Sequence, residues 1–152
     1  MDDEISERIL KTLEDAGIDY KLFEHDRIHT SEDAATVRSC GLSQCTKCLI
    51  FKTKEGNFIM IITPGDKRAD TKKVRKLEET KRVFLASPEE VEDISGCKIG
   101  SVGPFGHTTQ LRTYMDSDVL KNESCFFSIG LHTKSIEMGT QDLEKLVNAV
   151  LF

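Results

Sequence analysis

Lys47 heads an apolar run, Lys47-Cys48-Leu49-Ile50-Phe51, and later the chain reads Gly100-Ser101-Val102-Gly103-Pro104-Phe105-Gly106. Strands covered on both faces read as continuous apolar runs. A cation at the mouth of such a strand costs free energy unless it faces a cavity that uses its charge. The glycine-rich turn supplies the complementary part, backbone N–H groups that a carbonyl or anionic ligand can approach because no Cβ stands in the way. Lysine plus open backbone donors makes a site for a polarised oxygen.

Other chemistries compete for the same residues. Cys40, Cys45 and Cys48 have the C-x4-C-x2-C spacing of an iron-sulfur loop, with Cys97 available as a fourth thiolate. Such ligands sit on irregular loops, whereas Cys48 falls inside an apolar strand pattern, and no His doublet or second pair completes a zinc site. The five cysteines are therefore read as small buried apolar residues, with no metal. Ser128 and His132 lie four apart across a glycine, but no Gly-x-Ser-x-Gly elbow exists to make a serine nucleophile. His25 and His132 read as hydrogen-bonded structural histidines rather than as bases; His107 follows the glycine turn closely enough to reach a ligand, and His29 carries little signal.

The elements that must position these groups are legible as an α+β domain spanning residues 1–152. Ile5, Ile9, Leu13 and Ala16 recur at helical spacing and stop at Gly17. Tyr20 to Glu24 reads as a strand, and Ser31 caps a second helix through Ala34, Ala35 and Val37 that ends near Gly41. Lys47–Thr53 and Asn57–Thr63 form a hairpin turned at Gly56. Asp70 caps a basic helix from Thr71 to about Glu79, and Arg82 to Ala86 is a strand. Ser87-Pro88-Glu89-Glu90 is a capping box for a helix ending at Gly96. Lys98–Val102, Leu111–Met115, Cys125–Ile129 and Ser135–Met138 read as strands. Thr140 opens a last helix with Leu143, Leu146, Val147, Val150 and Leu151 on one stripe. Helices and strands alternating irregularly around a tight hairpin predict a mixed, strongly twisted, barrel-like sheet flanked by helices.

Composition bounds the partners. The formal net charge is −5, which argues against nonspecific coating of nucleic acid. Yet Lys67 to Lys76 holds six bases against one acid, so a local patch with Lys72, Lys73, Arg75 and Lys76 can hold a few phosphates. No apolar stretch is long enough to span a bilayer. The acidic Met1-Asp2-Asp3-Glu4 is unlike a signal peptide, so no membrane partner and a cytoplasmic location are expected.

Almost the whole length resembles the YbaK and prolyl-tRNA editing domain family, small deacylases of mischarged aminoacyl-tRNA. The resemblance rests on Glu24-His25, Thr46-Lys47-Cys48-Leu49, the run Lys98 to Gly106, Phe127-Ser128-Ile129-Gly130-Leu131-His132, Ser135-Ile136-Glu137-Met138 and the closing Asp142-Leu143 helix. It implies that Lys47 is the lysine on which catalysis depends. It also implies that Gly100, Ser101, Gly103, Pro104, Phe105 and Gly106 border the aminoacyl pocket, with Ser128, Gly130 and His132 on its other side and His25 nearby. Relatives often read Gly-Gly-x-Ser-Pro-x-Gly; here the second glycine is Ser101 and Gly103 precedes Pro104. The resemblance further implies no cofactor and a substrate that is the aminoacylated 3′ end of tRNA. The amino acid would be Ala, Cys or Ser on tRNA for proline, with prolyl-tRNA synthetase as a partner. The open alternative is a binding module without turnover. On the deacylase reading, Gly103 or Gly106 N–H groups would meet the developing charge, and water or a group of the substrate would attack.

Overall fold

The computed structural model describes the backbone of residues 2–28, 30–38 and 40–152, and the side chains within it except those of residues 2, 3, 31 and 37. The expected roles of the Ser31 and Val37 side chains, and His29, lie outside the described residues. The first helix, α1 (Asp2–Asp15), buries Ile5, Ile9 and Leu13 as their spacing requires. Ala16 does not join that stripe: it lies past the helix end and is exposed. After β1 (Tyr20–Glu24), α2 (Ser31–Arg38) begins where the Thr30 hydroxyl accepts from the Asp33 N–H at 3.0 Å, so Thr30 fills the capping position. A single 3-10 turn, Leu42–Gln44, leads into β2 (Lys47–Thr53), which pairs antiparallel with β3 (Phe58–Thr63) in the expected hairpin.

The basic helix α3 (Thr71–Glu78) is capped by Asp70, and α4 (Pro88–Ser95) by the reciprocal Ser87–Glu90 box, with β4 (Val83–Leu85) between them. The stretch from Lys98 to Val102 is not a strand. Gly100 adopts φ +88°, and the Ser101 N–H turns back to the Lys98 carbonyl. Strands β5 (Arg112–Met115), β6 (Ser124–Ser128) and β7 (Lys134–Gly139) follow, then α5 (Thr140–Val147). Val150 and Leu151 leave the helix stripe. Asn148 ends α5 in the left-handed conformation at φ 51°, and Val150–Leu151 becomes β8, parallel to β5.

The strands make two sheets. One is five-stranded and mixed, in the order β4-β2-β3-β5-β8, and the other is three-stranded and antiparallel, β1-β7-β6. Outside these strands a parallel bridge joins Cys45 to Phe126, and the described strands do not close into a barrel. The main core is shared by both sheets: Ile50, Met60 and Met115 from the larger one meet Phe127, Ile136 and Met138 from the smaller, with α1, α4 and α5 packed on them. A second cluster of Phe51, Ile59, Ile61 and Tyr114 is covered by Val74 of α3. No helix among the described residues is long and apolar enough to cross a membrane.

Candidate active site

Where β2 leaves the 3-10 turn, it borders a cavity of about 470 Å³, within the size range of small-molecule sites. Its wall brings together Lys47 from β2, Arg38 from α2, Ser128 from the end of β6, and Gly100 and His132 from two loops. Apolar side chains such as Val91, Ile99 and Val102 complete it, and among the described residues no carboxylate lines it. Such a cavity offers cations and hydroxyls to oxygen and nothing anionic to an ammonium.

Lys47 is half-buried, and its Nζ donates to the Lys67 carbonyl at 2.6 Å. Burial lowers its pKa, with the cation of Arg68 adding to the effect while Asp66 and Glu32 oppose it. Lys67 is itself tied down, its ammonium reaching Asp116 at 2.8 Å and Asp118 at 3.1 Å. One residue thus fixes the loop by its side chain and holds the site lysine by its backbone. A substrate oxygen that replaced this carbonyl would meet an ammonium already aimed.

Of the glycine turn, Gly100 lines the cavity together with Val102. The rest of the turn forms the layer behind. Ser101 is buried, its hydroxyl donates to the Lys98 carbonyl at 2.7 Å, and its own carbonyl accepts from the Gly130 N–H. Gly103 lies so close to β6 that a Cβ there would stand 2.8 Å from the Ser128 carbonyl oxygen. Pro104 is buried, Phe105 packs edge-on against Phe127, and Gly106 abuts Ile9 of α1. The turn therefore props the wall, and of its three glycines only Gly100 borders the cavity.

His132 lines the cavity, with Nδ1 donating to the Ile28 carbonyl at 3.2 Å. His25 does not line it. Its Nδ1 faces the Asp26 carbonyl at 2.8 Å and must donate there, while its Nε2 shares a hydrogen bond of 2.7 Å with the Ser135 hydroxyl. Ser135 in turn accepts from Arg38 Nε at 3.0 Å, and Arg38 Nη2 reaches Ser128 Oγ at 3.4 Å. His25 is thereby linked to the cavity through Ser135, Arg38 and Ser128.

Sequence reasoning missed Arg38, which is 6% exposed. A lone arginine in the last turn of a helix reads as a solvated cation favoured by the dipole. The available signal was its place four residues after Ala34, which puts both on the buried face.

His107 sits behind the wall, its Nε2 donating to the Gly103 carbonyl at 2.7 Å. Burial holds its pKa below the ordinary imidazole range, against the opposing pull of that carbonyl. On acidification the unfolded chain takes up this proton first. The stability is therefore full above the ordinary imidazole pKa and is lost as pH falls below it, toward the lower folded value. Denaturant melts from about pH 7.5 to about pH 5 should show this decline, and His107→Gln, which keeps a donor for the carbonyl, should flatten it. Identical pH profiles for the two proteins would contradict a buried neutral ring.

The cysteines do not converge. Cys40 and Cys45 place their sulfurs 3.0 Å apart, while Cys48 and Cys125 neighbour each other and burial pushes both thiols up. Among the described residues no three His, Cys, Asp or Glu side chains come together as metal ligands. None of Lys72, Lys73, Arg75 and Lys76 lines the cavity. The first two and Lys76 are exposed on α3, and Arg75 donates to the Lys81 carbonyl at 3.2 Å.

The arrangement has relatives. A model of the aminoacyl-tRNA editing domain matches residues 25–146. The multifunctional Ser/Thr-tRNA deacylase ProXp-y of Escherichia coli is 27% identical over 150 residues, covering 95% of this chain and 89% of that protein. The proline–tRNA ligase of Bacillus licheniformis is 31% identical over 107 residues, which is 67% of this chain and 18% of the ligase. A protein crystallised as a candidate trans-editing enzyme for prolyl tRNA synthetase superposes with a TM-score of 0.87 at 27% identity, covering 97% of this chain and 94% of that one. With the domain match running through most of the sequence and the fold shared nearly end to end, the chain belongs to the aminoacyl-tRNA editing domain family, and its activity is that of a hydrolase of the aminoacyl-tRNA ester.

Proposed function

We propose that this protein acts in trans, in the cytoplasm, to remove a small mischarged amino acid, alanine, cysteine or serine, from tRNA for proline. The observation that carries this reading is the cavity at the head of β2, which Lys47, Arg38, Ser128 and Gly100 line together with no carboxylate among the described residues. An aminoacyl ester is already activated, so the protein needs mainly to orient it and to stabilise the oxyanion, at about 3 kcal/mol per well-aimed donor. Lys47 takes the acyl carbonyl or a terminal ribose or phosphate oxygen, exchanging it for the Lys67 carbonyl. Gly100, Ser128 and His132 border the acyl group. Ser101, Gly103, Pro104, Phe105, Gly106, Gly130 and His25 act at one remove, by holding that border in place. The attacking group is water or a hydroxyl of the substrate.

The names of the relatives support the choice of substrate, since one acts on seryl- and threonyl-tRNA and others are proline–tRNA ligases that carry a similar segment. A prolyl-tRNA synthetase is accordingly the protein partner we would seek first. A panel of alanyl-, cysteinyl- and seryl-tRNA for proline, incubated with purified protein, tests the reading. Release of at least one amino acid faster than in the protein-free control is expected, and binding without turnover across the panel would leave a recognition module instead.

The phosphate contacts are assigned to the exposed lysines of α3. Reversing two of them, Lys72→Glu with Lys73→Glu, should raise KM and flatten the salt dependence of tRNA binding by roughly one unit of slope for each phosphate no longer neutralised. A salt slope equal to that of the unaltered protein would return α3 to solvent.

A further inference from the structure

Arg38 combines features rarely found together. The residue is 6% exposed, it lines the cavity, and among the described residues no carboxylate pairs with it. Removing such a charge from water is costly unless oxygen acceptors replace the hydration. Among the described residues, two of its five N–H donors find side-chain acceptors, on Ser135 and Ser128. Because Ser128 Oγ accepts from Nη2, the serine's own hydrogen is turned away from the guanidinium and is free to donate into the cavity that Ser128 lines.

Depth decides what this donor pair meets. Lys47 is half-buried and bonded to a carbonyl on an exposed loop, whereas Arg38 and Ser128 are 6% and 8% exposed. The ester is attached to a tRNA too large to enter, so it stays near Lys47 and the acyl side chain reaches furthest in. We propose that Arg38, acting through Ser128, is a specificity-determining pair that reads the side-chain hydroxyl of the amino acid, so that hydroxylated acyl groups are preferred over alanyl. This inference rests on the functional reading above and names the substrate class of that same site. Arg38 is in this account a positioning residue, holding the Ser128 hydroxyl in one orientation, while Ser128 contacts the substrate. A site built to hydrogen-bond a hydroxyl disfavours the analogue lacking it, because its own polar groups are then left unpaired.

The test is the ratio of kcat/KM for seryl- and alanyl-tRNA of the same tRNA body. The unaltered protein should favour seryl. Ser128→Ala and Arg38→Met should each lower that ratio by roughly tenfold, and the double variant should lower it no further than either alone. Arg38→Lys, which keeps a donor and a charge, should recover part of the ratio. A loss of folding would reduce both activities alike and leave the ratio in place. If Arg38→Met fails to fold, Ser128→Ala and Arg38→Lys still carry the measurement. Equal losses on both substrates in folded variants, or an unaltered protein without preference for seryl, would overturn the inference while leaving the deacylase reading intact. Absence of turnover on every substrate would instead overturn the deacylase reading itself.

Discussion

Lys47→Ala should lower kcat/KM for the preferred mischarged tRNA by roughly 10²–10³-fold, the loss that follows removal of one well-aimed oxyanion donor. In the free protein, the bond that disappears is the one to the Lys67 carbonyl at 2.6 Å, which solvent can satisfy at that exposed loop. The fold should therefore be little affected, and the melting temperature is the control. Where the loss falls is informative. A fall in kcat would place the ammonium on charge that develops during reaction, whereas a rise in KM alone would place it on an oxygen held equally in the ground state. Unchanged turnover in a folded variant would remove Lys47 from the chemistry.

The second large effect concerns the loop that receives Lys47. A Cβ at Gly65 would lie 2.4 Å from the Cys45 carbonyl oxygen and 2.5 Å from that of Leu42, both backbone atoms of the turn that delivers Cys45, Thr46 and Lys47 to the cavity. Neither atom can rotate away as a side chain could. Gly65→Ala must therefore push the loop and the turn apart, at roughly 3 kcal/mol. For a chain of this size that is a fall of about 6–12 °C in Tm. Activity should fall as well, since the Lys67 carbonyl belongs to the displaced loop. Gly41→Ala is the matched control on the same turn, because the nearest atom to its Cβ is the flexible Gln44 Oε1 at 3.6 Å, an ordinary contact. A Tm for Gly65→Ala equal to that of Gly41→Ala would show that the turn yields and that the packing is looser than its distances.

The contrast between what could and could not be read from the sequence has a physical basis. Helix α1, the β2–β3 hairpin and the capped starts of α3 and α4 are local: periodicity, a glycine turn and a serine or aspartate cap each act within a few residues. The segment from Lys98 to Gly106 is governed from elsewhere. Gly130 takes the carbonyl of Ser101, and Gly103 fits only against the backbone of β6, so an apparent strand becomes a prop. The same holds for β8, where Asn148 ends the helix early and β5 supplies the edge that Val150 and Leu151 join. For the site, Lys47 and Gly100 were signalled by a charge beside an apolar run and by a glycine turn. The resemblance brought Ser128 and His132. Arg38 lacked any such local mark, because what makes it unusual is burial beside Ser128 and Ser135, residues from the distant β6 and β7.

The contact between Gly103 and the Ser128 carbonyl bears on how selectivity can be retuned. Two main chains laid edge to edge leave no slack between them, so that side of the chamber has a fixed position. Room for a bulkier acyl group has to be carved from side chains on the facing surfaces, such as Cys48, Leu85 or Val91. Redesign for a new amino acid should therefore trim those three and leave the glycine seam alone.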